Sequence, residues 1–222
     1  MAHSQFEAKA VHIPVADVLL NADLTIPEEA QIIVAFAHGS GSGRHSPRNR
    51  YVAETLNRYK FATLLADLLT EEEEIVDMRT RHLRFDIPML AGRLIGIAAW
   101  LQGEPQTKQL KIGWFGASTG AGAALIAAAR RPENIVAVVS RGGRPDLAGD
   151  YLPNVRAPVL LIVGENDPQV LELNESALVR LNVQSKLEIV PGATHLFEEP
   201  GTLEAAARLA AEWFHQYPPP GP

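Results

Sequence analysis

KIGWFGASTGAGAALIAA, Lys111 to Ala128, decides how this chain is read. It opens as a short apolar run with Ile112, Trp114 and Phe115, turns through Gly116-Ala117-Ser118-Thr119-Gly120, and continues in small residues that suit a helix. A strand, a Gly-x-Ser-x-Gly turn and a helix, in that order, form the context in which this short motif marks a nucleophile. The spacing has a steric cause. A serine at the tip of so sharp a turn takes strained backbone angles, and its neighbours two before and two after crowd together, which suits Gly116 and Gly120. Ala121, Gly122, Ala123 and Ala124 then let the helix lie close to a sheet, with its free N–H groups and positive dipole end beside the serine oxygen. The competing reading is a glycine-rich turn of a nucleotide-binding sheet, so the rest of the chain must supply a base and an acid.

The flanking sequence alternates strands and helices. Residues 9–27 alternate apolar and polar around Asn21-Ala22-Asp23, as an antiparallel pair at a sheet edge would. Gln31–Ala37 is a continuous apolar run, expected of a strand covered on both faces, and it empties into the Gly/Ser-rich loop His38–Pro47. A helix is expected over Asn49–Tyr59 and a buried strand over Phe61–Leu65. Residues 67–86, with four glutamates followed by three arginines, are too polar for a core and predict a surface excursion or small lid, not a separately folded cap. Asp86, with Pro88 in the first turn, starts a helix to about Gln102. Strands are expected over Asn134–Ser140, Ala157–Val163 and Lys186–Val190, and helices over Val170–Leu181 and Thr202–Tyr217, with a loose tail from Pro218 to Pro222. The fold class is therefore α/β: a mostly parallel, doubly wound sheet with helices on both faces, formed by residues 1–222 as one domain.

Composition narrows the function. The net charge of −6 and pI near 5.6 argue against a general nucleic-acid binder, which carries a basic stripe. The chain has no cysteine, which excludes disulfides, a thiolate nucleophile and cysteine-ligated metals. No apolar run suits a signal peptide or a membrane span, so a soluble, cytoplasmic protein is the default expectation. The oligomeric state is not legible.

In such a sheet chemistry gathers at the carboxyl ends of the strands. Loops after Ala37, Phe115, Val163 and Val190 all leave from that edge, and the last three carry Ser118, Asp167 and His195. Ser118 is the expected nucleophile, His195 its base, and Asp167 the group that holds the imidazole tautomer. Among seven histidines only His195 follows the final strand; His38 follows an early one. Asp167 competes with Glu165 in its own loop and with Asp67 after an earlier strand, and Asp167-Pro168 also reads as a helix cap. The His38–Gly43 loop lacks the ending of a phosphate-binding Walker loop, and Gly39, Gly41 and Gly43 have the wrong spacing for a dinucleotide fingerprint. Its better use is an oxyanion hole, with the backbone N–H of Ser40 joining that of Thr119.

GASTG, GENDPQV and GATHLFEEPG, together with the HGSGSGRHSPRN loop, resemble the α/β-hydrolase superfamily and, within it, the dienelactone hydrolase family, over roughly Val18–Phe214. The resemblance implies an α/β-hydrolase fold with little or no cap, a Ser118–His195–Asp167 triad, and no cofactor or metal. Members of that family proper carry cysteine as the nucleophile; serine at 118 moves the expectation from dienelactone towards simple carboxylic esters or lactones. The alternative is a non-catalytic protein of the same fold that binds a ligand or partner, whose mark would be a missing triad member; none is missing. Arg141 and Arg144, with Arg44 and Arg48, are candidates for an anion pocket in substrate binding. Pairing with Asp146, Glu198 and Glu199 is the favoured expectation for these arginines, because surface charges usually serve as solvated pairs.

Overall fold

The computed structural model describes residues 6–218. Its strands are β1 (Lys9–Val15), β2 (Val18–Thr25), β3 (Ile32–Ala37), β4 (Ala62–Ala66), β5 (Lys111–Ala117), β6 (Ile135–Arg141), β7 (Val159–Gly164) and β8 (Ser185–Val190). Its helices are α1 (Pro47–Arg58), α2 (Glu71–Thr80), α3 (Ile87–Gly103), α4 (Thr119–Arg130), α5 (Pro168–Leu178) and α6 (Thr202–His215), with 3-10 turns over Leu83–Phe85 and Pro145–Asn154. The tail expected from Pro218 lies, from residue 219 onward, outside the described residues, as does His3. No helix among the described residues is long and apolar enough to cross a membrane.

The apolar runs of the sequence divide by parity, as a pleated strand requires. In β3, Ile33, Ala35 and Ala37 join one core, and Ile32, Val34 and Phe36 join the core on the opposite face. In β7, Val159 and Leu161 face the first core while Leu160 and Ile162 face the second. Helices α3 and α4 cover one face; α1 and α6 cover the other, through Val52, Leu56, Ala210 and Phe214. A sheet buried on both sides needs strands apolar at every position, which is why these runs do not alternate.

The eight strands form one sheet in the order β1-β2-β4-β3-β5-β6-β7-β8. The β1–β2 and β2–β4 pairs are antiparallel and all the others are parallel. Winding runs from β3 outward to β4, then reverses and runs from β5 to β8. The reversal point lies between β3 and β5, where the α/β rule places ligands. Register carries this to the residue level: Ala37 is opposite Gly116, and Ala117 is opposite Arg141. The loop after β3, the serine turn and the end of β6 are therefore neighbours.

Two segments differ from expectation. The antiparallel pair is present at the sheet edge, but its turn is Ala16-Asp17, with Ala16 at φ 51°, and Asn21–Asp23 lie within β2. The polar excursion contains a true helix, α2, opened by a capping box in which Thr70 and Glu73 satisfy each other's backbone N–H. It has no core of its own. The one buried residue of α2 is Asp77, which Arg84 and the N–H groups of Leu83 and Arg84 satisfy, while Ile75, Val76 and Met78 of the helix and Phe85 beyond it are exposed.

Candidate active site

Ser118 caps α4 with φ 49° and ψ −125°, a conformation that only surrounding structure can hold in a residue with a side chain. The hold is visible in its neighbours. A Cβ at Gly116 would run into the backbone of Ala121, and one at Gly120 into the carbonyls of Ala37 and His38. The serine N–H donates to the Arg141 carbonyl at 3.4 Å, and the serine carbonyl accepts from Arg144 N–H at 3.0 Å. Ser118 is half-buried, and its Oγ has no hydrogen-bond partner among the described residues.

His195 Nδ1 lies 2.7 Å from Asp167 Oδ2. The two loops that carry them are laced together before either side chain is considered. Glu165 N–H donates to Val190 O at 3.0 Å, Asn166 N–H to Ala193 O at 2.9 Å, and Asn166 Nδ2 to Gly192 O at 3.0 Å. Glu165, one rival for the acid, accepts the Gly192 N–H at 2.8 Å; Asp67, the other, is bound by Arg44. Asp167 does not cap α5 with its side chain, which goes to His195 instead. Glu199 fixes the histidine loop from the far side, accepting from the N–H and hydroxyl of Thr194 at 3.0 and 2.6 Å. The serine and the histidine flank one dipeptide: Arg141 binds Ser118 through its carbonyl, and a Cβ at Gly142 would stand 3.6 Å from His195 Nδ1.

The loop after β3 faces Ser118 from the other side, with Gly39 close enough that a Cβ there would stand 3.7 Å from Ser118 Oγ. Ser40 N–H points towards the serine turn, yet it donates to the Thr119 hydroxyl at 3.0 Å. Sequence reasoning considered only the backbone of Thr119 and missed this use of its side chain. A cleft of about 760 Å³ opens between this loop and α2, lined by His38, Gly39, Ser40, Arg48, Glu74 and Met78 among others. That volume suits a small organic ligand. Burial, then the charges of Asp67 and Glu71, hold the Glu74 carboxyl above the usual carboxylate range.

His38, set aside on sequence grounds as following too early a strand, anchors the loop. It is buried, its Nδ1 is 3.0 Å from Gly39 O, and its Nε2 accepts the Leu68 N–H at 3.0 Å. Neutrality is needed for that acceptance. Burial pushes its pKa below the usual histidine value, against smaller upward effects of the Gly39 carbonyl and Asp67. The unfolded chain therefore binds this proton more readily, so the contribution to stability is whole above about pH 6.5 and lost as pH falls towards the lowered value. The urea midpoint is expected to drop between about pH 7 and 5.5. His38→Gln, whose amide oxygen can still accept from Leu68, is expected to flatten that drop; an unchanged slope would assign it to other groups.

Three of the four arginines behave as surface pairs. Arg144 binds Asp146 through two bonds of 2.8 and 2.7 Å, Arg48 binds Glu198 at 2.9 Å, and Arg44 binds Asp67. Arg141 departs from the favoured expectation: it is 7% exposed and pairs with no carboxylate among the described residues. Among the described residues no group of three or more His, Cys, Asp or Glu could hold a metal ion.

Comparison with known proteins bears on this geometry. The model of the "Dienelactone hydrolase family" matches residues 23–217. This chain belongs to the dienelactone hydrolase family. A crystal structure of a dienelactone hydrolase from Anabaena variabilis ATCC 29413 is 60% identical, with a TM-score of 0.95, over 97% of this chain and 100% of that one. Est1E from Butyrivibrio proteoclasticus shares the fold at 18% identity and a TM-score of 0.79, over 94% of this chain and 98% of that one. A curated Mycobacterium tuberculosis protein named "Putative phosphoribosyl transferase" is 59% identical over 204 residues, which is 92% of this chain and 45% of the relative. The chain thus spans less than half the length of that relative. Membership and the structural match place the chain in the α/β-hydrolase fold.

Proposed function

We propose that this dienelactone hydrolase relative cleaves carboxylic esters or lactones of small molecules through an acyl-enzyme, with Ser118, His195 and Asp167 as its triad. The observation that carries the reading is the His195–Asp167 bond of 2.7 Å on loops that flank the strained serine turn. Ser118 Oγ attacks the carbonyl carbon as His195 Nε2 takes its proton. The tetrahedral intermediate collapses as His195 returns that proton to the leaving alkoxide, and water repeats the sequence on the acyl-enzyme. Asp167 keeps the proton on Nδ1, so that Nε2 is free to act as base, and it stabilises the imidazolium.

The oxyanion that forms would be bound by the N–H of Thr119, unspent at the first turn of α4, and by that of Ser40. Ser40 N–H then turns from the Thr119 hydroxyl to the substrate oxygen. No Ser118–His195 hydrogen bond is present among the described residues; on this reading it forms once substrate is bound, as catalytic hydrogen bonds of unliganded sites often tighten only then. The cleft beside Gly39 and Ser40, with α2 as its outer wall, would receive the acyl or alcohol group. The transferase in the name of the mycobacterial relative is no part of this reading, because the match takes in less than half of that protein.

The test is a screen of p-nitrophenyl esters of rising chain length beside a Ser118→Ala control. Turnover that depends on Ser118 supports the reading. Folded protein that turns over no ester or lactone would favour the non-catalytic binding alternative.

A further inference from the structure

Helix α2 turns its apolar side chains towards solvent instead of a core. Asp77 is its only buried residue. The side of the helix away from Asp77 carries Glu72, Ile75, Val76 and Arg79, spaced i, i+3, i+4 and i+7 as neighbours on one face. All four are exposed, Ile75 and Val76 at 55% and 49%, and Met78 beside them at 67%. A helix of ten residues that buries no apolar side chain gains little from its own sequence in water. Apolar side chains exposed side by side, with charges at both ends, mark an interaction surface where scattered ones do not.

The charges on that face say what covers it. Glu73 and Asp77, on the inner side, are paired with Arg93 and Arg84. Glu71 and Glu72 at one end and Arg79 and Arg81 at the other form no ion pair among the described residues. Hydrogen bonds from its own N–H and from Thr70 hold the Glu72 carboxyl below the usual range, so it is charged at neutral pH. Glu72 and Arg79 stand two turns, about 10 Å, apart along the axis, too far to pair within the helix. A second α2, laid antiparallel across a two-fold axis between Ile75 and Val76, brings each Glu72 to the other's Arg79 and each Ile75 to the other's Val76. The face is its own complement. We propose that the outer face of α2 is the contact through which two copies of this chain pair, helix against antiparallel helix. An anionic lipid surface fits less well, since it would repel the four glutamates of the first turn. Because Glu74 and Met78 also line the cleft, pairing would steady its outer wall.

So short a contact lies at the small end of protein interfaces, so the dimer is weak, and salt weakens it further through its charged ends. Sedimentation of the full-length protein across the micromolar range is expected to show monomer passing into dimer. Amide exchange in residues 71–80 is expected to slow as concentration rises. Arg79→Glu and Glu72→Arg each set like charges against one another at both ends of the pair. Either variant alone is expected to pair about tenfold more weakly. Mixed in equal amounts, the two regain opposite charges at both ends, and a heterodimer close to the original affinity is expected. A folding defect in either variant could not be repaired by mixing.

Glu72→Arg also takes an acid from the first turn of α2, so Ile75→Ser serves if that variant frays. It is expected to weaken pairing about tenfold with circular dichroism unchanged, since Ile75 is exposed in the single chain. A monomer at every concentration, folded variants that pair as the original does, or folded variants that do not recover on mixing overturn the proposal. So does a dimer whose exchange slows along the edge strand β8 with residues 71–80 unchanged. Protein that stays monomeric, yet sediments with vesicles of phosphatidylcholine and phosphatidylglycerol and loses that binding in Ile75→Ser, has a lipid surface as its partner, and the proposal fails. None of these readouts depends on turnover of an ester, so the pairing and the hydrolase reading stand or fall separately.

Discussion

Ser118→Ala is expected to lower kcat for ester hydrolysis by about 10⁶-fold, with KM changed much less. On the proposed mechanism the serine oxygen forms the covalent bond of the acyl-enzyme, and alanine offers nothing to attack with. A residue of catalysis over water, about 10³-fold, is expected to survive, because the oxyanion donors and the binding cleft remain. Folding should be little affected. Ser118 Oγ makes no hydrogen bond among the described residues, so its removal leaves no partner unsatisfied. The strained backbone at φ 49° is retained by alanine, since the crowding at Gly116 and Gly120 holds it there. Kinetics on p-nitrophenyl esters, with circular dichroism as a folding check, measures both parts. Full activity in the variant would remove the serine from the chemistry.

Asp167→Asn is the second large effect, about 10⁴-fold in kcat. The carboxylate lies 2.7 Å from His195 Nδ1, and in the proposed triad it holds the proton on that nitrogen so that Nε2 can act as the base. Asparagine at this position can turn its NH₂ towards Nδ1, which selects the tautomer with the proton on Nε2. That tautomer cannot take a proton from Ser118. The fold should persist, because the 164–168 and 190–195 loops are joined by backbone bonds that do not involve the Asp167 side chain. Near-normal kcat in Asp167→Asn would show that another group orients His195, and Glu165 is already committed to Gly192.

How much of this was legible in the sequence depended on whether the signal was local. Runs such as Ile32–Ala37 and Val159–Gly164 could be read as buried strands because burial on both faces makes every position apolar. The order of Ser118, Asp167 and His195, after the ends of β5, β7 and β8, also lies along the chain. Helix α2 was hidden for a physical reason. It buries only Asp77, so it carries no apolar periodicity, and its local sign was the Thr70-to-Glu73 capping box within a run of glutamates. The edge turn at Ala16-Asp17 was obscured because neither residue is glycine or asparagine, although Ala16 takes φ 51°.

Properties that arise across the fold were beyond reach. Arg44, Arg48, Arg141 and Arg144 are alike in sequence, and only packing shows that Arg141 alone among them has no carboxylate partner among the described residues. The same is true of His38, whose partner Leu68 is 30 residues away, and of Asn174, whose buried amide holds Gly143 O at 3.0 Å. These polar groups brace the backbone next to the serine turn and the loop after β3. Their spacing in the chain announces nothing.

The central claim is that Ser118 is an activated nucleophile. The most direct test is covalent labelling of the full-length protein with a fluorophosphonate, read by intact mass and peptide mapping. One adduct per chain, located on Ser118 and slowed strongly in Asp167→Asn, is the predicted result. No adduct on folded protein, or an adduct that persists in Ser118→Ala, would contradict it.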